Sequence, residues 1–535
     1  MLKCSDKPNV VSNGLIVPSW LPCITVLPRQ VFLFRLSGVS CFGNRIATGF
    51  VLHHTYGVSC TESVDSLMQM PSSEQLPCPP LSARSVYFDL FNGDASTTEL
   101  DNAASFLQTQ LAVAASLDSD LPEAMDGLSI WMEQGVESVG QRYRSYLEER
   151  ANGGERRYFR DKAHALFFLK SVAPTKMVDG AWLYGLLPRW QDPRFSALVQ
   201  TYLEELGEGL TSKNHIVLYR KLLASQGIEH WDDLSDEHYI QGAIQLTLAY
   251  NADQFLPEII GFNLGYEQLP LHLLITAYEL KELGIDPYYF TLHITVDNAD
   301  SGHAKQAVDS VCAAMPRLGD ADEYWQRVRN GYKLNLLGAS TNSVIDSFDL
   351  EQEMLTIFRR KSSIGKFAHS DYRRVAGRTV NDWLADPTEI SRFTDAMEDE
   401  GWFKRHQDPQ DSRFWKLIHG EKARMFGVFN AYEQQVIYDW IAGDASDKST
   451  FVRPTRHVPQ SPLTFEAKQR LRVQMDDNAT GENDFDSDVR ALEASLAQSE
   501  TQGQTMALLI RLMSPANHHS AAGLKATRVF NELFD

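Results

Sequence analysis

Residues 293–303 read "HITVDNADSGH". Two histidines and two aspartates fall within this one stretch, beside Ile294, Val296 and Ala299, whose apolar side chains belong in a core. On a helix each residue turns by about 100°. Measured from His293, Asp297 then lies at about +40° and Asp300 at about −20°, so three potential metal ligands share one stripe. His303 falls at about −80°, off that stripe unless the helix is distorted. A π-type bulge before Gly302 would swing it back, and such bulges often mark functional sites. The bland alternative is the polar face of an amphipathic surface helix. Against it, Asp and His are mediocre helix formers, and buried carboxylates are rare unless paired or metal-bound.

Two further segments carry the same chemistry. "EELGEGLTSKNH" places Glu204, Glu205 and Glu208 ahead of His215. A continuous helix would put Glu208 and His215 on one face, two turns apart. Bringing Glu205 to His215 instead requires the Gly207/Gly209 region to reshape the backbone. In "PEIIGFNLGYE", Glu267 follows the largely apolar run from Ile259 to Tyr266. An acid there is either at a helix rim or bound to something. Nearby His272 precedes an apolar face and reads as a packed core histidine. Glu258 follows Pro257 at a helix start, where an acid suits the dipole. Together the segments supply Glu…His, Glu, and His…Asp…His. That is the ligand inventory of a carboxylate-bridged pair of iron or manganese ions inside a helical bundle. Mixed histidine and carboxylate ligation suits Fe(II) with positions left open for dioxygen.

The rest of the chain is consistent with a bundle. From about residue 97 the apolar spacing is helical, opening with a Thr/Glu start that resembles a capping box. Helical stretches are expected at about 155–171, 192–206, 213–226, 235–250, 256–283, 287–316 and 320–335, with no series of alternating strand patterns. The fold class is therefore all-α. A second, mostly helical region starts near Ser347. Residues 442–486 form an acidic linker containing "MDDNATGENDFDSD", and helical patterns at about 487–515 and 520–534 can dock back on the body. Apolar residues make up 43% of the 535 residues and the formal net charge is −20. That balance argues against a nucleic-acid groove or an anionic membrane as the main partner. No stretch is long and apolar enough for a membrane span. Five of the six cysteines lie in the first 78 residues, at spacings that match no zinc template. The remainder reads as a reduced, cytoplasmic protein. The head is a poorly ordered extension, or translation begins at Met68 or Met70; a weak targeting peptide is a third reading.

The order and spacing of the motifs resemble the haem-oxygenase-like di-iron oxidases, the iron-containing redox enzymes. The family's Glu-x-Gly-x-Gly region followed by His is matched by "ELGEGLTSKNH", from Glu205 to His215. Its lone glutamate in an apolar helix is matched by Glu267. Its His-x-x-x-Asp-x-x-His after a Tyr-Phe pair is matched by "YYFTLHITVD" through His293 and Asp297. At the last position this chain has Asp300, and a histidine follows three residues later, His303. "APTKMVDGAWLYG", residues 173–185, is also similar to the family, with no role assigned to it. The likeness covers roughly residues 150–345, with a weaker one around "MFGVFNAYEQQVIYDWI".

The resemblance implies a haem-oxygenase-like helical bundle with an additional mostly helical C-terminal region. With the patterns along the chain, the expected layout is a poorly ordered or mis-annotated extension at 1–85, the metal-binding domain at 86–345, helices at 346–441, the linker at 442–486 and final helices at 487–535. Metal ligands would be Glu205, His215, Glu267, His293, Asp297 and His303, with Glu208 and Asp300 as substitutes. The cofactor would be two Fe ions, bound as Fe(II), with manganese as the alternative; no haem is expected, since no axial histidine can be singled out. Partners would be O2, an external reductant and a small amino-acid-like or fatty-acid-like substrate, and a homodimer is compatible with this. The alternatives are a non-catalytic metal- or ligand-binding accessory protein and an oxidase that modifies its own Tyr or Lys. If the head has no core role, a chain beginning at Met70 should melt cooperatively and bind metal as the full chain does. Loss of the cooperative melt on truncation would show that the head packs on the bundle.

Overall fold

The computed structural model describes residues 81–296, 302–443 and 486–534. The head, most of the acidic linker, and both Asp297 and Asp300 lie outside the described residues. The first group of helices is α1 Ala83–Phe91, α2 Thr97–Ala115, α3 Leu128–Ala151, α4 Lys162–Ser171, α5 Ala173–Lys176, α6 Ser196–Glu205 and α7 His215–Ser225. It continues with α8 Ile240–Tyr250, α9 Leu256–Tyr266, α10 Leu271–Glu282, α11 Tyr288–Val296, α12 His303–Ala313 and α13 Ala321–Lys333. Then come α14 Thr341–Asp346, α15 Leu350–Gly365, α16 Val380–Ala385, α17 Ile390–Asp399, α18 Trp415–Ile418 and α19 Ala431–Ala442. Beyond the linker lie α20 Ser487–Leu496, α21 Gln502–Leu512 and α22 Ala521–Phe534. The protein is all-α. Among the described residues the strand pairing is a two-residue hairpin, Arg374–Val375 against Arg378–Thr379. Its central residues Ala376 and Gly377 both have positive φ, as a tight hairpin turn requires.

Local chemistry explains most helix starts. Ser96 caps α2 and forms a reciprocal box with Glu99, so the cap is the serine one residue before the Thr/Glu pattern. The same device opens α19 with Asn430 and Glu433, and α21 with Thr501 and Gln504. Three long helical stretches expected from periodicity are broken; the 487–515 stretch splits into α20 and α21, the second opened by its own Thr501 cap. The 256–283 stretch splits into α9 and α10, because Pro270 disfavours helical geometry at Leu269 and lacks the N–H to continue the ladder. The 287–316 stretch splits into α11 and α12: Gly302 is extended, and a new helix begins at His303. Helix α1 was not expected; it lies ahead of the point where the helical pattern was read, and buries Tyr87 and Leu90.

The buried apolar side chains form two clusters. The first joins α1, α2, α6, α9, α12, α13 and α22 through residues such as Tyr87, Leu107, Leu203, Ile259, Val311, Val328 and Phe530. The second joins α4, α7, α10, α11, α15 and α19 through Leu169, Tyr219, Leu280, Phe290, Ile357 and Trp440. Helices α9 and α13 cross at very short range. A Cβ on Gly261 would lie 1.8 Å from the Val328 carbonyl oxygen, and one on Gly331 would lie 2.2 Å from that of Glu258. Only hydrogen fits at either point, and this crossing fixes α9, whose C-cap is Glu267. Buried Glu279 of α10 ties down the segment before α4, accepting from the backbone N–H groups of Arg157, Tyr158 and Phe159 and from the Tyr146 hydroxyl. A carboxylate satisfied four times over tolerates burial.

Asp439 of α19 is placed less comfortably. Its carboxylate accepts from the Ala163 N–H at 2.8 Å and from Gln435 at 3.0 Å. Burial, and then the neighbouring Asp161, push its carboxyl up to about 7. An unfolded aspartate titrates near 3.9, so over about pH 4–7 the folded state binds more protons, and stability falls as pH rises through that window. Asp439→Asn keeps an acceptor for the Ala163 N–H and removes the charge. The variant should melt a few degrees above the parent at pH 8, with the difference closing near pH 4. Thermal melts at the two pH values check this.

Candidate metal centre

Helix α6 ends in Glu205. The three residues Gly207, Glu208 and Gly209 then take left-handed φ of 63°, 54° and 79°. The chain reverses so sharply that a Cβ on Gly207 would sit 2.3 Å from the Asn214 nitrogen. Asn214 caps α7 by accepting from the Val217 N–H, and the next residue is His215. The outcome is that His215 Nδ1 lies 2.5 Å from Glu205 Oε2, with both side chains buried. Glu208 turns away: it pairs with Lys213 at 2.7 Å and is more than a third exposed. The structure therefore does not bring Glu208 to the other donors; the turn breaks the helix that would have aligned it with His215.

Glu267 stands at the C-terminus of α9, where Trp182 packs on Tyr266 and its indole N–H donates to Asn263. His303 Nδ1 is 3.0 Å from Glu267 Oε2 and 3.6 Å from Glu205 Oε1. Its Nε2 is 2.8 Å from Glu204 Oε2. The expected route to this position was a π-type bulge in a continuous helix. Instead His303 is the first residue of α12, so the turn count from His293 does not apply to it. Asp297 and Asp300 lie outside the described residues.

His293 is oriented by its own helix, with Nδ1 2.8 Å from the Tyr289 carbonyl. Its Nε2 is 3.1 Å from Oδ2 of Asp179, a residue not singled out from the sequence. Asp179 precedes Gly180, whose φ is 78° and where a Cβ would lie 2.8 Å from Glu205 Cβ. The Asp179 carboxylate also accepts from the hydroxyls of Tyr266 at 2.7 Å and Tyr289 at 2.5 Å, and Lys176 Nζ stands 3.6 Å away. A signal for it existed in "MVDGAWLYG": an acid inside an apolar, glycine-containing run, the same logic that picked out Glu267. The buried donors form two groups, Asp179–Glu205–His215–His293 and Glu205–Glu267–His303, each with ligand atoms within 4.8 Å of one another. Glu205 belongs to both. His272 joins neither; burial, and then Lys176, push it down to about 4. Glu258 is held by the Arg327 guanidinium through two contacts of 2.7 Å.

The donor chemistry fits divalent cations. The Tyr289 carbonyl takes the Nδ1–H of His293, so the Nε2 lone pair faces an Asp179 oxygen, and a proton or cation must lie between them. His303 meets carboxylates at both ring nitrogens, which poses the same demand. Burial works against the Asp179 charge, but Lys176, His293 and His215 outweigh it and hold this carboxyl well below the usual range. Burial also opposes the Glu204 charge, and His303 and Gln200 outweigh it. Several carboxylates gathered among imidazoles, away from water, are the setting in which a hard or borderline cation is bound.

Residues 166–335 match the model of the iron-containing redox enzyme family. The matched segment contains all of the donors just described. No curated protein and no solved structure matches the chain. The family match and the helices agree on a haem-oxygenase-like, all-α fold, and the match supports an iron-dependent redox role. Among the described residues no helix is long and apolar enough to cross a membrane.

Gly180 abuts the one donor common to both groups. Gly180→Ala adds a Cβ against Glu205 and strains a left-handed position. The variant should keep its helical circular dichroism while its affinity for Fe(II), measured by anaerobic titration, falls about tenfold or more.

Proposed function

We propose that this chain is a non-haem oxidoreductase that holds two iron ions and uses dioxygen to oxidise a small organic substrate. The observation that carries the reading is the pair of buried donor groups joined at Glu205. Asp179, Glu205, His215 and His293 would hold one ion; Glu205, Glu267 and His303 would hold the other, with Asp297 completing the set by resemblance. Bound iron would supply the electrons that activate dioxygen, and an external reductant would restore them. The protein's own groups do the rest. The Tyr289 carbonyl fixes the tautomer and angle of His293, and the Tyr266 and Tyr289 hydroxyls pin the Asp179 carboxylate. Lys176 offsets part of the buried negative charge, and the two apolar clusters keep bulk water away. An amino-acid-like or fatty-acid-like substrate remains the expected class, in a cytoplasmic protein that acts without nucleic acid or membrane.

A second reading has a specific observation in its favour. Lys176, Tyr266 and Tyr289 converge on Asp179, and Lys176 Nζ is 3.0 Å from the Tyr266 hydroxyl. Oxidisable side chains so close to a metal donor fit an oxidase that modifies itself. Intact mass after exposure to dioxygen separates this from turnover of an added substrate.

Anaerobic reconstitution followed by metal analysis should give close to two irons per chain. One iron or none at saturating Fe(II) rejects the proposal. His303→Ala should lose one iron and most reactivity with dioxygen, whereas Asp300→Asn should keep both irons and change mainly the rate. The reverse ranking in iron content would make Asp300 the ligand.

A further inference from the structure

The segment from Glu205 to His215 carries two donors of the candidate centre, and it is held in place from far along the chain. Its turn is strained: Glu208 is a non-glycine residue at φ 54°. Asn214 is the hub of the return. Its amide NH2 donates to the Leu206 carbonyl at 3.1 Å and to His518 Nδ1 at 3.1 Å, while its oxygen accepts from Val217 at 3.0 Å. Each polar contact of this buried amide is thereby assigned, so its orientation is fixed, and with it the start of α7 at His215. Two further bonds bracket the turn. Arg528 donates to the Gly209 carbonyl at 2.8 Å, and the Tyr202 hydroxyl, one turn before Glu205, donates to the Met513 carbonyl at 2.6 Å. A Cβ on Gly209 would lie 2.4 Å from the Leu524 carbonyl oxygen, so α22 lies directly on the turn.

We infer that residues 513–528 are a positioning element for the candidate metal centre, in which His518, acting through Asn214, sets His215 against Glu205. The inference rests on the metal reading above. It differs from plain packing because the contacts are directional and fall on the backbone and cap of the donor-bearing turn. In α20, which packs on α22, Leu492 is buried in the first apolar cluster and serves as the packing control.

The test uses the full chain with His518→Leu, His518→Asn and Leu492→Ala. The asparagine variant keeps an acceptor oxygen close to the place of Nδ1; the leucine variant has none. Two quantities are read: anaerobic Fe(II) titration, and backbone hydrogen exchange of residues 206–214 in metal-free protein. His518→Leu should weaken one iron equivalent about 10- to 100-fold and speed exchange across 206–214. His518→Asn should restore most of both, and Leu492→Ala should lower the melting temperature while moving neither. Wild-type titration and exchange in folded His518→Leu would overturn the inference. So would an asparagine variant no better than leucine, or both effects appearing in Leu492→Ala. Should the wild-type chain bind no iron, the metal reading falls, and exchange alone then decides whether His518 positions the turn. Arg528→Met, which removes only the bond to Gly209, takes the place of His518→Leu if that variant does not fold.

Discussion

The shared carboxylate of Glu205 is the constraint around which the rest is arranged. A buried acid is expensive unless it is matched by protons, dipoles or cations. Glu205 sits where the two apolar clusters meet and faces His215 on one side and His303 on the other. His215 and His293 arrive on α7 and α11 of one cluster; Glu205, Glu267 and His303 arrive on α6, α9 and α12 of the other. The close α9–α13 crossing, the left-handed turn after α6 and the Asp179–Gly180 turn all serve to bring carboxylates into one small volume. Apolar packing alone would keep them apart. The negative charge gathered there is what a cation would relieve.

Asp179 changes the character of one half of the centre. It is fixed by two tyrosine hydroxyls and a lysine, whereas Glu267 is reached by His303. A carboxylate so thoroughly hydrogen-bonded has few lone-pair directions left and little freedom to change its mode of binding.

How much of this was legible in the sequence depends on whether the signal was local. Glu267 and His293 stood out because a polar group interrupts an apolar run, and burial follows from that pattern. The reversal between Glu205 and His215 was readable from Gly207 and Gly209, since only glycines at those points permit it. Asp179 carried the same local signal as Glu267, but the groups that mark it as a metal donor, His215, Tyr266, Tyr289 and His293, come from α7, α9 and α11, far along the chain. The alignment of Glu208 with His215 failed because a helical wheel assumes a helix that the glycines end. His303 was placed through a bulge, whereas a fresh helix start at extended Gly302 brings it in. No periodicity could have revealed that the Asn214 amide answers to His518, since that pairing exists only in three dimensions.

The hydroxyl of Tyr202 and the carbonyl of Met513 are 311 residues apart. Leu509, Met513, Ala526 and Phe530 belong to the same apolar cluster as Leu203 and Leu206, which flank Glu205. During synthesis every donor described here therefore leaves the ribosome long before the wall that shelters Glu205 can close. Contacts of such long sequence separation form late and slowly. The order of synthesis thus gives this wall of the candidate centre only after residues 509–530 have been made and packed.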